Sequence, residues 1–319
     1  MQDEPLTYAV LSGGVGGAKL VLGLQETLRP QQLTVVANTG DDFEHLGLPI
    51  CPDIDTLIYT LSGVANPETG WGLANESWDL MAAIDALDGD VWFKLGDRDL
   101  ETHIRRRDDL VAGLSLAETT ARQCRHAGVE VAVWPMSNEP VRTVIDTADG
   151  PLEFQDYFVR QQARPVARGI RHSGAAAATA PQPVTNALRQ ASLAAVFISP
   201  SNPWLSIDPI LSVSDIKTAL ADTAAPVIGI SPIVGGKALK GPTAKLMRES
   251  GIEPSALSIA EHYRPVLDGF IIDTQDENLR PRIEALGIRV EVTNTVMTSL
   301  ASKSRLAQTA VAFANRLQP

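Results

Sequence analysis

Three acidic clusters stand out in the first hundred residues: Asp41 and Asp42 in "NTGDD", Asp53 and Asp55 in "CPDIDT", and Asp97 and Asp99 in "LGDRDLETH". A hard divalent cation such as Mg²⁺ takes one or two carboxylates together with phosphate oxygens, so Asp41, Asp42, Asp53 and Asp55 are candidate metal ligands. Each also has a plainer reading as a helix N-cap, and Asp55 ahead of "TLIYTL" could serve in that way. Arg98 sits between two of these carboxylates, where its planar fork suits phosphate or carboxylate recognition. His103 follows and is open between general base, ligand contact and packed side chain. The run Arg105–Arg107 reads as a solvated helix face.

Glycines supply the second chemical signal. "LSGGVGGAKL" carries Gly13, Gly14, Gly16 and Gly17, with Lys19 close behind. It fits neither GxxxxGK[ST] nor GxGxxG. An apolar run precedes it and an apolar periodic stretch follows, so backbone N–H groups and a helix N-terminus converge on one point that suits a diphosphate. "SPSNP" adds Ser199, Ser201 and Asn202 in a proline-stiffened loop, and "SPIVGGKALKGP" adds Lys237 and Lys240 as possible phosphate partners. Arg160, Arg164, Arg168 and Arg171 form a basic stretch that either a second anion contact or an oligomer surface would explain.

The elements that must position these groups follow from hydrophobic patterning. Strand-length apolar runs recur at Tyr8–Leu11, Leu33–Ala37, Val91–Lys94, Val129–Trp134, Ala194–Ile198, Val227–Ile230, Gly269–Asp273 and Val290–Val292. Most are continuous rather than alternating, as strands covered on both faces require. Helix-like segments lie between them: Leu20–Leu28, Trp78–Leu87, Leu116–Ala127, Val213–Ala221 and Pro281–Leu286. The expected class is α/β, a Rossmann-like three-layer core with a mainly parallel sheet. Residues 1–140 and 190–319 form that core; residues 141–189 form an inserted smaller subdomain with an antiparallel hairpin over Val141–Val159, turning at "ADGP". In such a sheet all strand-to-helix loops open on one edge, and the loop after nearly every predicted strand is rich in Gly, Ser, Asn, Asp or Thr.

Composition narrows the function. A net charge of -11 over 319 residues argues against a nucleic-acid partner. No apolar stretch approaches the roughly 20 residues that span a bilayer, and "MQDEP" is acidic where a secretory signal is basic, so the expected setting is cytoplasmic with no membrane partner. Cys51 and Cys124 form no CxxC pair and read as small buried apolar side chains.

Taken together, "SGGVGGAKL", "NTGDD", "CPDIDT", "GWG", "LGDRDLETH", "FQDYFVR", "SPSNPWLSIDPIL", "SPIVGGKALKGP" and "TVMTS" resemble the CofD family, 2-phospho-L-lactate transferases of deazaflavin coenzyme F-420 biosynthesis. The resemblance runs from about Leu11 to Met297. It implies a Mg²⁺-dependent transferase, usually dimeric. The donor is a guanosine diphosphate conjugate of a three-carbon acid, such as lactyl-2-diphospho-5′-guanosine; the acceptor is the terminal ribityl hydroxyl of the deazaflavin Fo, and GMP leaves. It further implies that Asp53 or Asp55 and Arg98 hold the Fo side, while the glycine loop, Ser199, Ser201 and Asn202 surround the nucleotide. Asp55, Asp53 or His103 would orient or deprotonate the hydroxyl. "MSNEP" departs from the pattern with Asn138 where an acidic residue is expected. The alternative is a non-catalytic nucleotide-sugar-binding regulator on a related fold; "CPDIDT", "GDRDLETH" and "FQDYFVR" favour the transferase.

Overall fold

A computed structural model describes residues 5–318; the first four residues of the acidic N-terminus and residue 319 lie outside the described residues. Seven strands make the central sheet: β1 (Thr7–Ser12), β2 (Leu33–Ala37), β3 (Ala132–Pro135), β4 (Leu193–Ile198), β5 (Val227–Ile230), β6 (Gly269–Asp273) and β7 (Arg289–Thr293). Their spatial order is β7-β6-β5-β4-β1-β2-β3, and every neighbouring pair is parallel. The chain therefore builds outward from β1 on one side, then returns to build outward on the other. The crevice where strand order reverses lies between β1 and β4, beyond their carboxyl ends.

The continuous apolar runs behave as strands buried on both faces demand. Tyr8 and Val10 of β1 point to one layer, where Leu20, Leu24, Ile54, Leu57, Leu306 and Phe313 pack. Ala9 and Leu11 point to the other, with Val184, Leu188, Ile216 and Ile259. The first layer contains α1 (Gly14–Gln25), α2 (Pro52–Leu61) and the C-terminal helix Leu300–Leu317. α2 starts with proline at its first position, and Asp53 and Asp55 lie inside its first turn, where negative charge suits the helix dipole. Asp55 is thus not the N-cap; Cys51 holds that position, without a side-chain cap.

Three further helices, α3 (Asp79–Asp85), α4 (Leu100–Val111) and α5 (Leu116–His126), follow α2. Between α3 and α4 the expected strand Val91–Lys94 does not form. Its aromatic pair plugs a satellite cluster instead: Trp92 and Phe93 lie 5.7 and 4.8 Å, centroid to centroid, from Phe43 in the short hairpin Phe43–His45/Leu48–Ile50. A short apolar run serves a packed loop as well as a strand, so periodicity alone does not separate them.

Residues 141–189 contain an antiparallel sheet of Gly150–Glu153, Arg142–Thr147 and Gly169–Ser173, in that spatial order. The hairpin turns at Ala148 and Asp149 as expected, but its second strand ends at Glu153. Asp156–Arg160 coils instead and buries Tyr157 beside Ile145, Phe154 and Leu205. Among the described residues no helix is long and apolar enough to cross a membrane.

Candidate active site

At the end of β1 the backbone turns sharply into α1. Gly14 has φ +63°, a left-handed conformation that costs glycine nothing, and no side chain caps the helix start. Gly17 is required for a different reason. A Cβ there would stand 2.4 Å from Ser12 Oγ and 2.9 Å from both Ser199 Oγ and Ser201 Oγ. α1 thus lies directly on the loop after β4, and the two loops are joined: Ser201 Oγ donates to the Gly13 carbonyl at 2.5 Å, while Ser199 Oγ is 2.8 Å from Ser201 Oγ. Asn202 caps its own turn, accepting from the N–H groups of Trp204 and Leu205. Glycines and serines far apart in the sequence meet at the crevice between β1 and β4.

Asp53 is the carboxylate that faces this turn. It accepts from the Gly14 N–H at 2.7 Å and from Asn38 Nδ2 at 2.9 Å. Asn38 in turn accepts from the Gly40 N–H at 2.8 Å, which shapes the loop carrying Asp41 and Asp42. Burial pushes the Asp53 carboxyl up to about 6 against those hydrogen bonds. Burial first, and the Asp53 charge second, push Asp41 well above the ordinary range. Asp42 rises to about 7, again mainly through burial. Asp41 Oδ1 and Asp42 Oδ1 are buried without a hydrogen-bond partner. Among the described residues no three His, Cys, Asp or Glu side chains are arranged to hold a metal on their own. Two desolvated carboxylates with unpartnered oxygens do fit Mg²⁺, which completes its shell with water and phosphate oxygens.

Asp55 belongs to a different arrangement. Both its oxygens accept from Arg106, one of them at 3.1 Å from Nη1. Arg106 is fully buried and also donates to the Pro49 carbonyl and to Gln123. The expectation of Arg105–Arg107 as a solvated face therefore holds for Arg105 and Arg107 and fails for Arg106, which points inward from α4. His103, one turn earlier, is buried with it; its Nε2 is 3.3 Å from Asp99 and its Nδ1 3.7 Å from Asp55. Burial works against the Asp99 carboxylate, but His103 and Tyr59 hold it below its usual range. These five side chains clamp α2 to α4. Asp55 is a buried ion-pair partner there rather than a free carboxylate, and His103 is a packed histidine between two carboxylates.

Arg98 is exposed, with Nη1 donating to the Ala74 carbonyl at 2.8 Å and its backbone N–H held by Glu76. Lys19 lies on the partly exposed side of α1. Asn138 accepts from the Ala117 N–H at 2.9 Å and so anchors the start of α5, a task an amide performs without charge. Asn38 went unread in the sequence, and Arg106 was read as part of a solvated face. Asn38 could have been found, since it opens the quoted "NTGDD"; Arg106 could not, because its partner lies 51 positions away.

A doubly wound parallel sheet, with a glycine turn and a serine loop meeting where strand order reverses, defines an α/β protein of the Rossmann kind. The family described as "2-phospho-L-lactate transferase CofD" matches residues 9–307, and the chain belongs to that family. A phosphoenolpyruvate transferase of Kitasatospora aureofaciens is 38% identical over 98% of this chain and 99% of its own length. A 2-phospho-L-lactate transferase of Methanosarcina mazei is 35% identical over 95% of this chain and 98% of its own. The crystal structure of a UPF0052 family member from Bacillus halodurans covers 97% of this chain and 99% of its own, with a TM-score of 0.62 at 14% identity, a likeness of fold.

Proposed function

We propose that this transferase moves the phospho-three-carbon-acid group of a guanosine diphosphate conjugate to the terminal ribityl hydroxyl of Fo, releasing GMP, with Mg²⁺ as cofactor. Relatives bearing the phosphoenolpyruvate and the 2-phospho-L-lactate names match at 38% and 35% identity, so the reading covers both donors as one class. The observation that carries it is Asp53 on the Gly14 N–H, with Asp41 beside it, at the crevice between β1 and β4.

In this reading the N–H groups of the first turn of α1 beyond Gly14, whose own N–H is held by Asp53, orient the diphosphate, and Ser199, Ser201 and Asn202 hold the loop that closes the opposite side. Asp41 and Asp42 would hold Mg²⁺, which would offset charge on the diphosphate. Arg98 orients Fo. Asp53, with a carboxyl at about 6, is largely ionised at neutral pH yet close enough to it to accept the hydroxyl proton. The hydroxyl oxygen bonds to the phosphorus bearing the acid, the bond from that phosphorus to the GMP phosphate oxygen breaks, and GMP takes the electron pair. Asp55 and His103 act by holding α2, and with it Asp53, in place.

Incubating the protein with Fo, Mg²⁺ and either the lactyl or the enolpyruvyl conjugate, then separating products by chromatography, tests the reading. GMP and a phosphodiester-bearing deazaflavin are expected with at least one donor; no GMP with either overturns it. The resemblance further supports a cytoplasmic homodimer, and light scattering on the purified chain measures the assembly.

A further inference from the structure

Three lysines from three separate segments collect beside α1 in a chain of net charge -11. Val15, Lys19 and Gly23 share one face of α1 at four-residue spacing. At the Val15 end, Gly70 lies so close that a Cβ would stand 2.7 Å from Val15 Cγ1 and 3.4 Å from Lys240 Nζ. At the Gly23 end, a Cβ would stand 2.3 Å from the Lys303 carbonyl oxygen of the C-terminal helix. Lys19 sits between these two approaches. Burial first, then the charges of Lys240 and Lys303, hold its ammonium below the usual range.

Among the described residues the one lysine ion pair is Lys245 with Glu249, so none of the three has a carboxylate partner. Lys240 donates to the Thr69 carbonyl at 2.9 Å, which leaves two of its three N–H bonds for another acceptor. Its loop is fixed rather than loose: Asp276 accepts from the Gly235 N–H at 3.0 Å, and Ile233–Val234 pairs with Lys237–Ala238 ahead of it. Like charges brought together without a counter-charge oppose folding, and an anion among them reverses that sign.

We propose that Lys19, Lys240 and Lys303 form a cationic seat for the anionic group beyond the first phosphate of the nucleotide on the glycine turn, either the outer phosphate or the carboxylate of the acid. This rests on the functional reading above and adds the chemistry that recognises the far end of the donor. A phosphate or a carboxylate oxygen satisfies the same ammonium donors.

Calorimetric titration of the full chain with GDP and with GMP, on wild type, Lys240→Gln and Lys303→Gln, tests the seat, alongside KM for the conjugate and circular dichroism melts. Wild type is expected to prefer GDP; the variants should lose about tenfold in GDP affinity, roughly the effect of one charge-assisted hydrogen bond, with GMP affinity little changed. The salt dependence of GDP binding should flatten as well. Unchanged GDP binding with a raised KM for the conjugate assigns the seat to the carboxylate of the acid. GDP affinity and conjugate KM both at wild-type values, in variants that melt normally, overturn the seat and leave the transferase reading standing. Failure of wild type to bind GDP at all overturns both.

Discussion

Asp55 and Arg106 show how a carboxylate can look chemical and be structural. Replacing Asp55 with Ala leaves a fully buried guanidinium without its partner, which costs about 3–5 kcal/mol and lowers the melting temperature. Asp53→Asn is expected to behave differently. It keeps the shape, gives up one of two accepted hydrogen bonds at a cost of about 1–3 kcal/mol, and lowers turnover by about 10²–10⁴-fold, the usual worth of a general base. Measuring melts and turnover for both separates the two roles. Asp42 gives a pH signature. Its folded form holds a proton up to about 7, where the unfolded chain releases it near 3.8. The folded state therefore binds the extra proton in that window. This contribution to stability is complete below about pH 4 and is lost as pH rises through 7. Asp42→Asn should flatten the fall in stability between about pH 4 and pH 7, measured in the absence of divalent cations; an unchanged slope removes Asp42 as its source. The carboxylates were legible because "NTGDD" and "CPDIDT" are local. Their division into free and ion-paired groups was not, since it depends on α4 folding back across α2.

Among the elements, the glycine turn carries the sharpest geometric demand. Gly17→Ala forces a methyl against three serine hydroxyls, so α1 must lift from the loop after β4. Overpacking of this kind costs about 1–3 kcal/mol, and nucleotide affinity should fall with it because Gly14 and Ser201 move apart. A melt and a GDP titration check both. Continuous apolar runs exposed the five inner strands of the sheet, because a strand buried on both faces has no polar side to disguise it, while the edge strands β3 and β7 are only partly buried. The same pattern misled at Val91–Lys94, where Trp92 and Phe93 fill a gap against Phe43 and bridge no neighbour. In the inserted region the turn was readable from Asp149 and Gly150, whereas Gly169–Ser173 was not, since an exposed edge strand of "GIRHS" carries little apolar signal.

For the whole molecule, the arrangement predicts where a ligand is felt. GDP should slow hydrogen exchange at the N–H groups of Gly14–Ala18 and in the loop after β4, and leave the Arg142–Thr147 strand at its unliganded rate; uniform protection would place the ligand elsewhere. The same arrangement constrains the newborn chain. β1 is complete at Ser12, but its second neighbour begins only at Leu193. At translation rates of roughly 5–20 residues per second, β1 spends on the order of ten to thirty seconds with one bare edge. Until β4 leaves the ribosome, that apolar edge is open to any other strand, and no nucleotide can steady it, because half of its crevice has not yet been made.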